Sequence, residues 1–132
     1  QSWSNYYGVP ADSADADGDG VSNTNEFLTG FTPTSATAYA HIISIANSGS
    51  DMNITYLGAN GDTNYTGGPS SRTNVLECAI VPASGSFTND FVGIKTNWYS
   101  AGNGLGTNVT VVDEFDATNQ PARYYRVRVL VP

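Results

Sequence analysis

The sequence predicts a mainly β chain, an antiparallel β-sandwich preceded by a short helical segment built on an acidic loop. Three observations predict it. From residue 39 onward apolar residues recur with period two in short runs, the spacing that puts alternate side chains on one face of a strand. Gly/Asn/Ser clusters such as NSGS, GANGD, TGGPSS and AGNGLG separate those runs at intervals expected of a sandwich. Ser, Thr, Asn and Gly are abundant while Leu and Lys are scarce, which disfavours a helical bundle. A length of 132 residues suits one core. Residues 1–38 form an N-terminal segment carrying the loop and a short helix, and residues 39–132 form the β-sandwich domain.

In chain order, Trp3, Tyr6 and Tyr7 predict a helical turn whose rings pack on Phe27 or Phe31; the alternative is an exposed platform that stacks sugars. In SNTNEFLTG, Ser22 or Asn23 caps a helix that takes Glu26 into its first turn, buries Phe27 and Leu28, and ends at Gly30. Thr32-Pro33 prevents its continuation. Six strands follow: AYAHIISIA (38–46), DMNITYL (51–57), TNVLECAIV (73–81), FVGIKTNWYS (91–100), TNVTVVDEF (107–115) and ARYYRVRVLV (122–131). In the last, Tyr125, Val127, Val129 and Val131 alternate with Tyr124, Arg126, Arg128 and Leu130, so one face is apolar and the other exposes two guanidinium groups.

The chemistry concentrates in DADGDGVSNTNE, residues 15–26. Numbered from Asp15, oxygen ligands fall at positions 1 (Asp15), 3 (Asp17), 5 (Asp19) and 12 (Glu26), with glycine at 6 (Gly20). This is the EF-hand spacing, which supplies a hard cation with carboxylates in a tight loop, the Val21 carbonyl at position 7, and a bidentate Glu26. Asn23 at position 9 binds directly or through water. Calcium is the expected ion, since magnesium keeps shorter octahedral geometry and its waters. A single loop, at most one short helix after it and one Met in the chain point to a structural clip rather than a sensor.

Charge narrows the partners. The net charge is −7. The first 66 residues hold acids and no Lys or Arg, whereas Arg72, Lys95, Arg123, Arg126 and Arg128 all lie in the second half. Nucleic acid is a poor partner for such a chain; cations and carbohydrates are better ones. No stretch approaches the apolar length of a transmembrane helix. The first residue is Gln1, as expected of a processed chain or part of a longer one.

Catalytic signatures are absent. Cys78, the only cysteine, shares a strand face with Leu76 and Ile80 and reads as a buried thiol. His41 stands alone among Ile43 and Ile45 as a packed or edge histidine, and no GxSxG or phosphate-cradling loop appears. Asp113, Glu114 and Asp116 could supply a glycosidase's pair of carboxylates, but read more simply as a solvated corner, so the chain is expected not to be an enzyme. Asn53, Asn64 and Asn108 each begin an Asn-x-Thr glycosylation triplet, with Asn53 expected to face solvent.

DADGDGVSNTNEFLTGFTPTSATAY, followed by HIISI, resembles the DxDGDGxSNxxEYxxGTDPxxxxS segment of secreted bacterial proteins, a thrombospondin type 3 or dockerin-like calcium loop. The ending PARYYRVRVLVP resembles the FYRV-type final strand of the fibronectin/immunoglobulin-like module that often follows it. Together these cover about a third of the chain, and Phe31-Thr32-Pro33 stands where the family usually has Thr-Asp-Pro. The resemblance implies an immunoglobulin/fibronectin-like sandwich, with Asp15, Asp17, Asp19 and Glu26 as calcium ligands. It also implies an extracellular, secreted, non-catalytic role, sometimes as a subunit of surface fibres. The expected function is therefore a calcium-stabilised structural protein that assembles with copies of itself through Trp3, Tyr6, Tyr7, Arg126 and Arg128. The alternative is a glycan- or surface-binding module using Trp3, Trp98, Tyr99 or Tyr124.

Overall fold

A computed structural model describes residues 2–10, 12–49, 51–81, 91–100, 102–114 and 122–131. Two short helices, α1 (Trp3–Tyr7) and α2 (Asn23–Thr29), precede six strands: β1 (His41–Ser48), β2 (Asp51–Gly58), β3 (Ser71–Val81), β4 (Val92–Ser100), β5 (Thr107–Asp113) and β6 (Ala122–Leu130). They form two antiparallel three-stranded sheets, β1–β2–β5 and β4–β3–β6. All six predicted strands are present, with ends that differ from the expected ones by one to three residues or not at all. Phe115, placed in the fifth, lies outside the described residues.

The inner face follows from register. Ile54 and Tyr56 on β2, Leu76 and Cys78 on β3 and Val109 on β5 are buried between the sheets. Across β3, Leu76 stands opposite Val127 and Cys78 opposite Tyr125, so the apolar row predicted on the last strand points inward. Its alternate residues Tyr124, Arg126, Arg128 and Leu130 are exposed, as the period requires. Ile80, expected beside Cys78, has its side chain outside the described set.

Polar groups finish the core where strands stop. Asn74, fully buried on β3, donates from Nδ2 to the Ala59 carbonyl and accepts the Ala59 N–H at Oδ1, both at 2.8 Å. A side-chain amide thus does the work of a neighbouring strand just past the end of β2. Asn74→Ala would leave both groups of buried Ala59 without partners, an expected loss of about 2–4 kcal/mol in urea unfolding. Asn74→Asp, which lacks the donor, should fail to restore it.

The N-terminal segment packs onto the sandwich. Phe31, Ala38 and Ala59 form a buried cluster joined by Ala40, Leu57 and Val129. Ser22 caps α2, accepting the Asn25 N–H, and Gly30 ends it at φ 84°. A Cβ on Gly30 would also sit 3.3 Å from Pro69 Cγ, so packing reinforces the choice of glycine. One expectation for α2 is corrected: Phe27 and Leu28 are 39% and 42% exposed, while Asn23 and Glu26 are buried. The helix turns its Asn23/Glu26 side inward, towards the acidic loop. Phe27 and Leu28 instead line a shallow cavity of about 330 Å³ with Tyr65, Gly67, Pro69 and Arg72. No described helix is long and apolar enough to cross a membrane.

Candidate metal centre

The loop is shaped by its own carboxylates. Asp15 accepts the Gly18 N–H at Oδ1 and the Gly20 N–H at Oδ2, both 2.8 Å, while Asp17 Oδ1 accepts from Asp19 and Asp19 Oδ1 from Val21. These short-range bonds turn the chain inward, and Gly20 at φ 92° supplies the left-handed step a side chain would resist. Asp15, Asp17 and Asp19 each bring a carboxylate oxygen within 4.8 Å of the others.

α2 delivers the fourth carboxylate. Glu26 is 0% exposed. Neither of its oxygens has a hydrogen-bond partner, and Asp17 Oδ2 and Asp19 Oδ2 are likewise buried without one. Burial pushes the Glu26 carboxyl up to about 8, reinforced by the negative charges of Asp17, Asp19 and Asp15. Burial also pushes Asp17 up to about 6, whereas the Gly20 N–H, outweighing desolvation, holds Asp15 below the usual carboxylate range. Four buried acceptor oxygens with no donor are costly alone. The set is all oxygen and negatively charged, so it fits a hard cation.

Asn23, the further ligand its position allowed, is fully buried and hydrogen-bonded within the loop. Its Oδ1 accepts the Ala16 N–H and its Nδ2 donates to the Pro10 carbonyl, so it braces the loop from within. Val21, half-buried, lies between Asp19 and α2.

The aromatic N-terminus separates into core and surface. Trp3, 2% exposed, packs edge-on to Phe27 at 5.5 Å and to Tyr7 at 5.7 Å, so neither a sugar platform nor an assembly surface can use it. Tyr7 donates to Oδ2 of fully buried Asp62 at 2.5 Å. Burial, with the Asp62 hydrogen bond, raises the Tyr7 phenol well above its ordinary value. Tyr6 alone of the three is exposed, at 44%. Sequence reasoning passed over Asp62, the anchor of α1, because nothing local marks a partner 55 residues away.

The other candidates are placed as follows. Arg126 Nε and Arg128 Nε reach Oε1 and Oε2 of Glu77 at 2.7 and 3.1 Å, so the two guanidinium groups are tied to a carboxylate and do not form a bare positive strip. Arg126 also lies over the Phe91 ring at 4.1 Å. Desolvation raises the Glu77 carboxyl, but the hydrogen bonds and charges of Arg126 and Arg128 win, leaving it lowered. Its stabilisation is therefore full above the usual carboxylate range and lost as pH falls through the lowered value. Glu77→Gln should cost about 1–2 kcal/mol at neutral pH, discounted because both arginines are half exposed, and nothing in acid. Thermal melts across pH would measure it.

Asp113 is not in a solvated corner. It is buried and accepts at Oδ2 from Arg123 NH1 at 2.7 Å and Tyr125 OH at 2.5 Å, joining β5 to β6 across the sandwich. Glu114 is exposed, and Asp116 lies outside the described residues. Cys78 is a free, buried thiol raised by burial, 3.8 Å from Arg123 NH1. His41 Nδ1 lies 2.6 Å from the Tyr39 carbonyl, and its ring stacks on Tyr39 at 4.1 Å.

Of the glycosylation triplets, Asn108 and Asn64 are exposed, but Asn64 Nδ2 donates to the Asn103 carbonyl at 2.8 Å. Asn53 faces away from Ile54 and Tyr56 as expected, yet is only half exposed on a central strand, opposite Ala46 and Val112. Trp98 and Tyr124 are 63% and 50% exposed, and Tyr99 is half-buried. Compared with known proteins, the chain matches no family model, no curated protein and no solved structure.

Proposed function

We propose that this chain is a non-catalytic, calcium-stabilised extracellular structural protein, a self-assembling subunit of a bacterial fibre or surface layer built on an immunoglobulin/fibronectin-like sandwich. The observation that carries the calcium reading is Glu26, fully buried with both carboxylate oxygens unpartnered beside the Asp15/Asp17/Asp19 triad. Asp15, Asp17, Asp19, Glu26 and the Val21 carbonyl would hold the ion. Bound calcium supplies charge neutralisation and ligation, not a reaction. The chain's own part is to bring the start of α2 to the loop, which seats Phe27 against Trp3, and through Tyr7 and Asp62 fixes α1 on the sandwich.

The non-catalytic part of the reading is supported by the commitment of these chemical groups to structure: Asp113 to Arg123 and Tyr125, Glu77 to two arginines, His41 to Tyr39. Electron microscopy of native material with and without a calcium chelator tests the reading. Ordered fibres that shorten or vanish on chelation are expected, and monomers under both conditions would sink it. The second reading, a glycan-binding module, is favoured by exposed Trp98 and Tyr124 on one sheet face, around Glu77, Arg126 and Arg128. Monomers that bind a glycan array, with binding lost in Trp98→Ala, would favour it instead.

A further inference from the structure

We propose that copies of this chain join edge to edge through the β1–β2–β5 sheet, β1 of one copy pairing in parallel with β5 of the next. The contact rests on the self-assembly proposed above and names its interface. Among the described residues four strand edges lack a second strand: β1 and β5 in one sheet, β4 and β6 in the other.

Sheets protect open edges with charges, bulges and proline. By that criterion the two sheets differ. β6 carries Arg123, Arg126 and Arg128; β4 carries Lys95 beside the register shift at Leu76/Glu77. β1, HIISIANS, contains no Asp, Glu, Lys, Arg or Pro, and its one irregularity lies near its start, between Ile42 and Ser44. From Ser44 to Ser48 its register is unbroken. The only charged residue of β5, TNVTVVD, is Asp113, which is buried and held by Arg123 and Tyr125.

Charge selects the occupant. Copies at −7 repel one another, most strongly through the acidic first half. Residues 27–50 contain no Asp, Glu, Lys or Arg, so β1 is where another copy approaches at least electrostatic cost. Apolar area is exposed on both edges: Ile43 and Ile45 are each 48% exposed, and Val112 is 39%. The lengths match, at 8 and 7 residues.

Direction then fixes the symmetry. β1 and β5 are both antiparallel to β2, so they run the same way. A neighbour displaced sideways along the sheet therefore sets its β1 beside β5 in parallel register. This contact joins unlike surfaces and does not close on itself, so repetition makes a filament.

Ile45→Lys blocks β1 and Val112→Lys blocks β5, and sedimentation with negative-stain microscopy reads the result in calcium. Each variant alone should lose at least tenfold of the pelletable fibre while keeping a cooperative melt. Ser44→Lys, on the exposed face of the same strand, carries the β1 test should Ile45→Lys not fold. An equimolar mixture should form pairs and stop there, because one variant keeps β5 and the other β1. Wild-type fibres from either variant would overturn the contact while leaving assembly standing. Dimers of Val112→Lys alone would do so too, by indicating a β1–β1 pair. Wild-type chains that stay monomeric at high concentration would overturn assembly and this contact together.

Discussion

Removing calcium is expected to lower the melting temperature more than any single surface substitution, and to release residues 12–30 and α1 before the sandwich opens. At a free ion concentration a thousandfold above the dissociation constant, binding to the folded state alone contributes about 4 kcal/mol. For a domain of this size that corresponds to roughly 10–15 °C. Glu26→Gln should reproduce most of the loss and abolish the calcium dependence, since it removes a buried charge from the donor set. Without the ion, Glu26 titrates near 8, above the usual carboxylate value. Between the unfolded value and about 8 the folded state holds a proton that the unfolded state has released, so stability of the ion-free protein falls as pH rises through that window. Calcium competes with the same proton and binds more tightly as pH rises. The gap between melts with calcium and with chelator should therefore widen from about pH 5 to about pH 8. A constant gap would contradict the assignment of Glu26 as a ligand. Hydrogen exchange of α1 completes the test, because Trp3 rests on Phe27 of α2. Unchanged α1 protection after chelation would show that the loop and the aromatic helix move separately.

Asp113→Ala is expected to be the most damaging single substitution in the sandwich, costing about 3–5 kcal/mol in denaturant unfolding, as breaking a buried ion pair does. Its carboxylate receives both Arg123 and Tyr125, with Arg123 and Asp113 side chains only 13% and 11% exposed. Tyr125→Phe removes one of those bonds and should cost about 1.5–3 kcal/mol, the range for a hydrogen bond to a charged group. Burial, with the Asp113 hydrogen bond, raises the Tyr125 phenol well above its ordinary value. The phenol therefore stays a donor across the physiological range. A double-mutant cycle between Asp113→Ala and Tyr125→Phe should show coupling, because both report on one carboxylate oxygen. Additive losses would mean that the two contacts contribute independently.

The sequence by itself determined what short-range rules govern. Period two placed six strands, Ser22 or Asn23 and Gly30 bounded α2, and the spacing of Asp15, Asp17 and Asp19 marked three carboxylates that converge. Each depends on backbone repeats or on loop geometry within twelve residues, so a local reading suffices. Tertiary structure alone decided which polar groups are spent. Asp62 and Tyr7 are 55 residues apart, Glu77 and Arg128 51, and Asn74 and Ala59 15, and no period relates them. Burial likewise reversed two local readings. Phe27 is partly open because a short helix turned its polar side to the loop, and Asp113 is buried because an arginine from the next strand reaches it. A side chain's identity fixes what it can bond, but which partner arrives depends on how the sheets stack.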